Sequence, residues 1–500
     1  MGREDASLPI DSIFNLGKEQ HMALTPVDTS NHHSSKSGKG HGDGAVSKLV
    51  KPQRIVILGA GFAGLYAALE LERTVAREAG VEVLLVDPQN FLLFTPMLHE
   101  VASGSLDPAS IVVPIRETLR RVEFLQAKTT AVDFAARTLT VAYGPDGRER
   151  TIVFDHLLVA AGSQTRFPPG LRPQIHGMKT IHDAVVLRNW LIGLLERAEI
   201  EDDPARRRAL LTIAVAGGGF SGVETIGAIN DFLRQIGRRY RKASAEPPTL
   251  VLIEPNDRLL PEFEPALGEY TASKLRDAGI DVRLHTKVAA FDGLRLVFEP
   301  TGDSATPLPL HARTLIWTAG VAPSPLIESL ALAKERGRIV VDETMAVPGH
   351  ESVWACGDCA AVPAPSGKPY PTTAQHAMRQ GVQAARNIAA TVRRQPAQIR
   401  PFRYTMIGQF AAIGHRHAVA TLFGRKFSGF IAWLMWRGAY LCMLPRVDRK
   451  VRVFLQWMLD ICFARDTVQL LTIDSVRVGR IQELMDSASA VESAERMPQT

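Results

Sequence analysis

The feature of the sequence that most constrains the fold is a short apolar run that leads directly into a glycine-rich turn. Residues 55–58 (Ile-Val-Ile-Leu) are followed by Gly59, Gly61 and Gly64 and then by a pattern typical of a helix. This order predicts a Rossmann βαβ unit. In such a unit Gly59 turns the chain, Gly61 admits backbone N–H groups close to a pyrophosphate, and Gly64 lets the helix pack on the strand. Asp87 ends the next apolar run, where a carboxylate can accept hydrogen bonds from a ribose 2′-hydroxyl.

The same pattern occurs a second time. The strand-like residues 211–216 lead into Gly217, Gly219 and Gly222, and a later apolar run ends at Glu254. We therefore predict two dinucleotide sites in one chain. Since a second site implies that one cofactor passes electrons to another, the simplest pair is a permanently bound FAD and an exchanging NADH. Glu254 favours NADH over NADPH, because a carboxylate repels a 2′-phosphate.

Composition is that of an ordinary globular protein, and the two βαβ units predict an α/β fold. At 500 residues the chain is too long for one compact core, so two or three domains are expected. Its net charge of +6 does not by itself choose among nucleic acid, an anionic membrane surface and acidic ligands. Nucleic-acid binding is not expected, because the basic residues are not interleaved with aromatic side chains outside the C-terminal part. Residues 1–50 are predicted to be a flexible leader and residues 471–500 a flexible tail.

The four cysteines indicate a reducing compartment. They are too few for a secreted disulfide framework, and the N-terminus lacks the apolar segment of a signal peptide. Cys356 and Cys359 form a C-x-x-C pair. We expect buried, inert thiols rather than a redox pair, because reactivity needs an exposed, electropositive setting. No Cys/His spacing suggests a metal site.

A third apolar run, residues 353–356, ends in Gly357-Asp358. Together with the two glycine turns it resembles the two-dinucleotide-domain flavoproteins of the glutathione-reductase-like fold. The resemblance implies that Asp358 binds the ribityl chain of FAD, and that the chain crosses between domains at Gly162 and returns at Gly320. It also implies a discontinuous FAD-binding domain with an NADH-binding domain inserted in it, with these bounds: 51–170 and 321–400 for FAD, and 171–320 for NADH.

Three further stretches resemble type II NADH dehydrogenases, the single-chain NADH:quinone oxidoreductases of this fold: residues 91–104, 217–224 and 374–381. The resemblance implies a non-proton-pumping enzyme that passes a hydride from NADH to FAD and then two electrons to a membrane quinone. It places Glu224 near the flavin, where the carboxyl would orient the nicotinamide or relay protons to the quinone. From the sequence alone, a helix N-terminal carboxylate without a catalytic role is the alternative.

The last of these stretches is expected to contact the quinone. Gln375 and Gln380 match the family and are the expected residues there, whereas Arg379 stands where the family generally has glutamine. The helix that starts near Thr373 is expected to aim its positive end at the flavin.

Residues 401–470 are predicted to be a helical membrane-associating region. Residues 427–444 are almost wholly apolar but fall short of the roughly 20 residues of a spanning helix, and Arg437 lies at their centre. A central arginine costs about 3 kcal/mol on insertion scales, so a position in the membrane interface is favoured over crossing.

A second, amphipathic helix is predicted after Pro445. Its apolar residues recur at helical spacing with basic residues on the other faces, as in helices that bind anionic membranes. Trp433, Trp436 and Trp457 suit the depth of the interface. We therefore expect a peripheral protein on the cytoplasmic side of the cell membrane. A core helix pair or a homodimer interface is the alternative.

Two other functions stay open at this stage. A sulfide:quinone-type or other flavin reductase of the same fold is one, but sulfide oxidation needs cysteines at the flavin, and none precedes Cys356. The other is a signalling flavoprotein, in which NADH binding shifts conformation and turnover is incidental. The predicted membrane-associating region and the quinone-side helix favour the enzyme.

Overall fold

The computed structural model describes residues 52–169, 171, 175–302 and 308–470. Up to residue 165 it contains the following elements: β1 (Gln53–Leu58), α1 (Phe62–Arg73), β2 (Val81–Asp87), β3 (Phe91–Leu93), α2 (Leu98–Ala102), β4 (Val112–Pro114), α3 (Ile115–Thr118), β5 (Glu123–Gln126), β6 (Lys128–Asp133), β7 (Thr138–Tyr143), β8 (Arg148–Val153), β9 (His156–Val159) and β10 (Ser163–Thr165). The first predicted βαβ unit is thus present as β1, α1 and β2.

These strands build a parallel sheet around the first glycine turn. Its order is β9-β1-β2-β5, and a later strand, Val353–Ala355, pairs with the free side of β9. The apolar residues of β1 from Ile55 to Leu58 are at most 1% exposed, as expected of a strand covered on both faces. The first sheet is therefore built from strands that come before and after the segment of the chain that forms the second sheet.

The second segment repeats this arrangement with a second parallel sheet. It contains the following elements: β11 (His176–Gly177), α4 (Ile181–Ile200), α5 (Pro204–Leu210), β12 (Thr212–Ala216), α6 (Phe220–Gly237), α7 (Arg241–Ala245), β13 (Thr249–Ile253), α8 (Pro265–Asp277), β14 (Asp281–Arg283), β15 (Thr286–Phe291), β16 (Arg295–Pro300), β17 (Leu310–His311) and β18 (Thr314–Trp317). The strand order is β11-β18-β12-β13-β14.

The remaining described residues complete the first sheet and add the C-terminal region. They form the following elements: β19 (Val321–Pro323), α9 (Pro325–Ser329), β20 (Lys334–Glu335), β21 (Arg338–Val340), β22 (Val353–Ala355), β23 (Ala360–Ala361), α10 (Ala374–Val392), β24 (Gly408–Gly414), β25 (His417–Leu422), β26 (Arg425–Ser428), α11 (Gly429–Met443) and α12 (Val447–Cys462). Helix α10 packs on α1, and a Cβ at Gly381 would lie only 2.0 Å from the Ala63 carbonyl oxygen. A side chain at position 381 would separate the two helices.

The C-terminal region contains the two predicted helices, α11 and α12, but it begins with a sheet that the sequence analysis did not predict. Strands β24, β25 and β26 form an antiparallel sheet in that order. Strand β24 packs so closely on α6 that a Cβ at Gly227 would lie 2.0 Å from the Ile413 carbonyl oxygen. The sheet therefore fixes α11 and α12 against the second glycine-turn unit.

The prediction that Trp436 and Trp457 lie at the depth of lipid headgroups is wrong. They are 1% and 2% exposed and belong to the hydrophobic core that α11 and α12 share with the second unit. Each indole N–H donates to a buried carboxylate, Glu224 for Trp436 and Glu100 for Trp457. Their hydrogen-bonding groups are thus satisfied inside the protein.

The outer face of α12 is an exposed apolar stripe, as its spacing predicted. The stripe consists of Val447, Val451, Phe454, Leu455, Met458 and Leu459. Each of these side chains is between 40% and 55% exposed. Within the described ranges, no helix combines the length and the apolar character that crossing a bilayer requires. The stripe is therefore a surface feature of the fold.

Candidate active site

The first glycine turn has the shape that a dinucleotide pyrophosphate needs. Gly59 has a φ of +99°, and a Cβ there would lie 2.4 Å from the Ala160 carbonyl oxygen. A Cβ at Gly64 would lie 1.7 Å from the Gly59 carbonyl oxygen, whereas one at Gly61 would meet no atom within 4 Å. Two glycines thus hold the turn against the helix, and the third leaves open space at the start of α1, where N–H groups attract an anion. The residues present fit FAD.

The second turn has the same construction. Gly217 has a φ of +112°, and a Cβ at Gly222 would lie 1.7 Å from the Gly217 carbonyl oxygen. A Cβ at Gly219 would again meet no atom within 4 Å. The close match between the turns supports a second dinucleotide at the start of α6.

Asp87 ends β2, and Glu254 directly follows β13. Each carboxylate faces the glycine turn of its own unit. Asp87 Oδ2 accepts a hydrogen bond from the Ala60 N–H at 2.6 Å. Glu254 Oε2 accepts one from the Gly218 N–H at 2.5 Å. Burial raises the pKa of the Asp87 carboxyl above its usual value. The predicted ribose contacts of both acids stay predictions, and each acid lies beside the turn from which it would make them.

Asp358, the predicted ribityl-binding residue, lies in a polar cluster at the edge of the first unit. It accepts a hydrogen bond from Ser163 Oγ at 2.6 Å. Lys179 Nζ donates to Ser163 Oγ at 3.1 Å and lies 3.7 Å from Asp358 Oδ2. The sequence analysis missed Lys179, because a lysine before a helix carries no signal of a partner far along the chain.

Gly357, Gly162 and Gly320 all have positive φ angles, of +75°, +64° and +90°. Gly162 precedes β10 and Gly320 precedes β19, and these two strands pair with each other where the chain leaves and rejoins the first unit. The left-handed backbone at these positions is readily adopted by glycine. Their predicted cofactor contacts stay predictions.

The C-x-x-C pair is buried, as predicted. Cys356 and Cys359 are both 0% exposed, and burial raises the pKa of each thiol, that of Cys359 to about 12. Such thiols are poor nucleophiles. Within the residues that the structure describes, no group of three or more His, Cys, Asp or Glu side chains could hold a metal ion.

A cavity of about 550 Å³ lies where all three parts of the fold meet. Its volume lies in the usual range for small-molecule sites. The residues that line it include His99 from α2, Phe220 and Glu224 from α6, Gln375 from α10, and Tyr440 from α11. Gly320 also lies in its wall. The cavity therefore lies between the two predicted dinucleotide sites and the C-terminal region.

Glu224 is the buried carboxyl of this cavity. Its Oε1 accepts hydrogen bonds from Trp436 Nε1 at 3.0 Å and from the Ala412 N–H at 3.2 Å, and its Oε2 lies 3.7 Å from His99 Nδ1. Burial raises the pKa of Glu224 to about 8. Burial also lowers the pKa of His99 to about 3, so its imidazole is neutral at physiological pH. Burial thus favours the protonated form of the Glu224 carboxyl near neutral pH, and its catalytic role stays a prediction.

The two predicted glutamines have different surroundings. Gln375 lines the cavity, with its Nε2 donating to the Gly408 carbonyl at 3.1 Å and its Oε1 accepting from Tyr404 Oη at 2.9 Å. Gln380 is 3% exposed, and its Oε1 accepts from the Gly357 N–H at 2.8 Å. The structure therefore brings Gln375 but not Gln380 to the cavity, and the geometry of Gln380 is that of a support for the Gly357-Asp358 turn.

Arg379, where the chain departs from the family pattern, packs its guanidinium over the Tyr404 ring, 4.3 Å from the ring centre. Its Nη1 donates to the Gln375 carbonyl at 3.1 Å. The arginine is thus accommodated by the loop before β24.

Sequence reasoning missed the other side chains of the cavity wall, His99, Phe410 and Tyr440. His99 lies in the quoted stretch 91–104, so the resemblance pointed to its segment without assigning it a role. The Tyr440 ring makes edge contacts with Phe94, Phe410 and Trp436. No local pattern reveals that an aromatic residue of an apolar helix faces a cavity.

Comparison with known proteins agrees with this geometry. Residues 53–381 match the family model described as pyridine nucleotide-disulphide oxidoreductase, and residues 407–466 match the NDH2 C-terminal domain. A type II NADH:quinone oxidoreductase of Mycobacterium tuberculosis, NdhA, is 30% identical over 89% of this chain and 96% of its own. The chain belongs to the type II NADH:quinone oxidoreductase family.

Two further proteins are similar to the chain, one in sequence and one in fold. The demethylphylloquinone reductase NdbB of Synechocystis is 34% identical over 81% of this chain and 95% of its own length. The structure of Plasmodium falciparum NDH2 in complex with NADH superposes with a TM-score of 0.77 at 20% identity, over 84% of this chain and 100% of that one. The predicted fold, two Rossmann-like units with a C-terminal helical region, is confirmed.

Replacing Glu254 with glutamine is expected to weaken the preference of the enzyme for NADH over NADPH. The glutamine keeps an oxygen for the Gly218 N–H but loses the charge that repels a 2′-phosphate. The predicted hydrogen bond from the ribose 2′-hydroxyl of NADH would also lose its charged acceptor, and hydrogen bonds to charged groups contribute about 1.5–3 kcal/mol. We therefore expect the ratio of kcat/KM for NADH to that for NADPH to fall about tenfold or more. Asp257→Asn, which removes an exposed carboxylate nearby, is the control. An unchanged ratio in Glu254→Gln would contradict the assignment.

Proposed function

We propose that the chain is a non-proton-pumping NADH:quinone oxidoreductase that reduces a quinone in the cavity beside Glu224. Residues 51–170 and 321–400 would hold FAD, and residues 171–320 would hold NADH. The observation that carries the proposal is that one cavity joins the helix of the second glycine turn, the start of α10 and the C-terminal helix α11. Family membership supports the pair of dinucleotides and the quinone.

The cofactor chemistry and the protein chemistry divide cleanly. A bound FAD would supply the centre that takes two electrons from NADH and gives them to the quinone. The chain binds the reactants and orients them. The start of α10 lines the cavity at Thr373, Ala374 and Gln375, and the positive end of a helix favours a nearby negative charge by about 0.3–2 kcal/mol. The aromatic side chains of Phe220 and Phe410 form part of the same wall.

Glu224 would hold the proton that a reduced quinone needs. Its Oε1 already accepts two hydrogen bonds, so the proton lies on Oε2, the oxygen near His99 Nδ1. A carboxylic acid with a pKa near the working pH is suited to proton transfer. Glu224 is therefore the proposed general acid, and Gln375, in the same wall, is the proposed hydrogen-bonding partner of the quinone headgroup.

The exposed stripe of α12 would place the chain on a membrane surface, where a long-chain quinone is dissolved. The stripe is apolar, and Lys450 and Arg452 lie on the same helix, with Arg446 just before it. Such helices bury their apolar face in the acyl boundary while basic side chains meet anionic headgroups. The anionic cytoplasmic leaflet of the cell membrane is the surface that this charge favours.

The test uses the full-length chain with bound FAD and anionic phospholipid vesicles that contain a long-chain quinone. We expect it to oxidise NADH with this quinone and with a water-soluble short-chain quinone. A triple variant, Val447→Glu, Val451→Glu and Leu455→Glu, should lose activity about tenfold or more with the vesicles only, because charges on the stripe oppose its burial. Ile200→Glu, at a site that is 79% exposed on another helix, is the control.

Other results of this test separate the alternatives. If NADH bleaches the flavin absorbance and quinone does not restore it, the signalling function is favoured over the enzyme. Sulfide-dependent activity would indicate the sulfide:quinone alternative, although none of the four cysteines lines the cavity. A triple variant that keeps vesicle activity but changes from dimer to monomer would assign the stripe to a homodimer interface.

A further inference from the structure

A second buried carboxyl, Glu100, lies behind the cavity and has no role in the proposed function so far. It is 7% exposed, on the short helix α2 directly after His99. Both of its oxygens accept from Trp457 Nε1, at 3.1 and 3.0 Å. Burying a carboxylate is costly unless it is paired and hydrogen-bonded, and the Trp457 indole N–H offsets part of that cost here.

Glu100 is surrounded by charged groups from three directions. Arg437 Nη2 lies 3.8 Å from Glu100 Oε1, and its guanidinium is held between the rings of Trp433 and Trp457, 4.2 and 4.5 Å from their centres. Arg465 and Asp460 act on Glu100 electrostatically from α12 and the residues after it. Glu224 lies on the cavity side, where its Oε2 is 3.7 Å from Nδ1 of His99, the residue directly before Glu100.

Helix α2 lies between the cavity and a groove. Leu98 and His99 line the cavity, while Val101 and Gly104 line a groove of about 340 Å³. With a rise of about 1.5 Å per residue, these two spaces are only a few residues apart along the helix, and Glu100 lies between them.

The groove reaches solvent through the ion pair of Asp460 and Arg465. Both residues line the groove, and Arg465 Nε donates to Asp460 Oδ1 at 3.0 Å. Arg465 Nη1 also donates to the Ser103 carbonyl at 3.4 Å, at the end of α2. The rim of the groove is exposed at Asp107 and Asp466. This ion pair therefore connects the groove to the C-terminal end of α2.

The reaction requires a supply of protons to the quinone. NADH carries two electrons and one proton as a hydride, whereas a quinone becomes a quinol by taking two electrons and two protons. The sum is NADH + H⁺ + quinone → NAD⁺ + quinol, so each turnover takes one proton from solution. A quinone bound in the cavity would fill the space through which that proton could otherwise reach Glu224.

We propose that Glu100, as a positioning residue acting through Glu224, supplies this proton from the groove at Asp460 and Arg465. Glu224 gives the proton on its Oε2 to the quinone oxygen, Glu100 then reprotonates Glu224, and solvent at the groove reprotonates Glu100. Proton entry and quinone entry are thus on opposite sides of α2. The inference rests on the proposed function of Glu224 and adds a route to it.

Two titration properties fit this route. Burial raises the pKa of Glu100 to about 7, against the opposing effects of Arg437, the Trp457 hydrogen bond and Arg465. The pKa of Glu224 is raised to about 8. Near neutral pH both carboxyls can therefore carry a proton.

The test compares Glu100→Gln with the wild type, both as the FAD-bound chain. Glutamine keeps an oxygen for Trp457 Nε1 but cannot pass on a proton. Bleaching of the flavin absorbance by NADH, which takes no proton from solution, should proceed at the wild-type rate. The quinone-dependent return of that absorbance, and proton uptake followed with a pH-indicator dye, should slow about tenfold or more. Glu100→Asp should restore most of the rate.

The matched control is Glu70→Gln. Glu70 is 8% exposed and pairs with Arg386 at 2.7 Å, so it is an equally buried carboxylate with an arginine partner, remote from α2. It should leave both half-reactions unchanged. Should Glu100→Gln not fold, Asp460→Asn tests the solvent end of the route, where the same selective slowing is expected.

Three outcomes would overturn the inference. One is an unchanged quinone-dependent step in Glu100→Gln, and another is equal slowing of both half-reactions, which would indicate a structural role. The third is a solvent deuterium isotope effect on the quinone step that is the same in the variant and the wild type. A wild-type chain whose absorbance quinone does not restore would instead refute the proposed function itself.

Discussion

Replacing Glu224 with glutamine is expected to lower quinone-dependent turnover by about 100-fold or more, the usual contribution of a general acid. The glutamine still offers an oxygen to Trp436 Nε1 and to the Ala412 N–H, so the cavity should keep its shape. What disappears is the removable proton on Oε2. Stopped-flow absorbance should show normal bleaching by NADH and a slow return with quinone.

The pH dependence provides a second measure of the same group. Since the protonated form of Glu224 is the donor and its pKa is raised to about 8, turnover should be flat below that pH and fall as the pH rises through it. This fall should be missing in Glu224→Gln. If the variant keeps both the wild-type rate and the fall at high pH, Glu224 is not the acid.

Replacing Gly64 with alanine is expected to prevent formation of a folded, FAD-binding chain. The added Cβ would lie 1.7 Å from the Gly59 carbonyl oxygen, so α1 would have to move away from the turn. We expect a loss of more than about 3 kcal/mol in the free energy of unfolding, at the upper end of overpacking effects. Soluble yield, thermal unfolding and the flavin absorbance measure it.

Gly61→Ala is the matched variant for this turn. A Cβ at Gly61 meets no protein atom within 4 Å, so the chain without cofactor should unfold at the wild-type temperature. FAD affinity should nevertheless fall, because the methyl group would occupy the space in which backbone N–H groups approach a pyrophosphate. Full FAD occupancy in Gly61→Ala would mean that the pyrophosphate does not bind there.

Local chemistry made much of this fold predictable. An apolar strand followed by glycines at fixed spacing admits few backbone paths, so both βαβ units and the acids Asp87 and Glu254 could be placed from the sequence. The start of α10 was predictable for a similar reason, since Thr373 is a helix-capping residue. The exposed stripe of α12 followed from helical periodicity alone.

Contacts between distant segments were not predictable. Helix α11 is apolar on nearly all sides, so its sequence does not show which face is buried, and Trp436 was assigned to the membrane interface rather than to Glu224. Arg437 was interpreted as a cost for membrane insertion, whereas two tryptophan rings hold it near Glu100. Strands β24 to β26 escaped prediction because their residues were considered only as part of a helical region.

The hydrogen bonds from Ala60 and Gly218 to Asp87 and Glu254 have a consequence for how ligands arrive. Each acid tethers its own turn through a hydrogen bond, which restricts the shapes that the turn can adopt. Little conformational entropy is then lost on association, which favours tight capture. At the second turn it also favours rapid exchange of fresh and spent nucleotide, since no loop has to refold between turnovers.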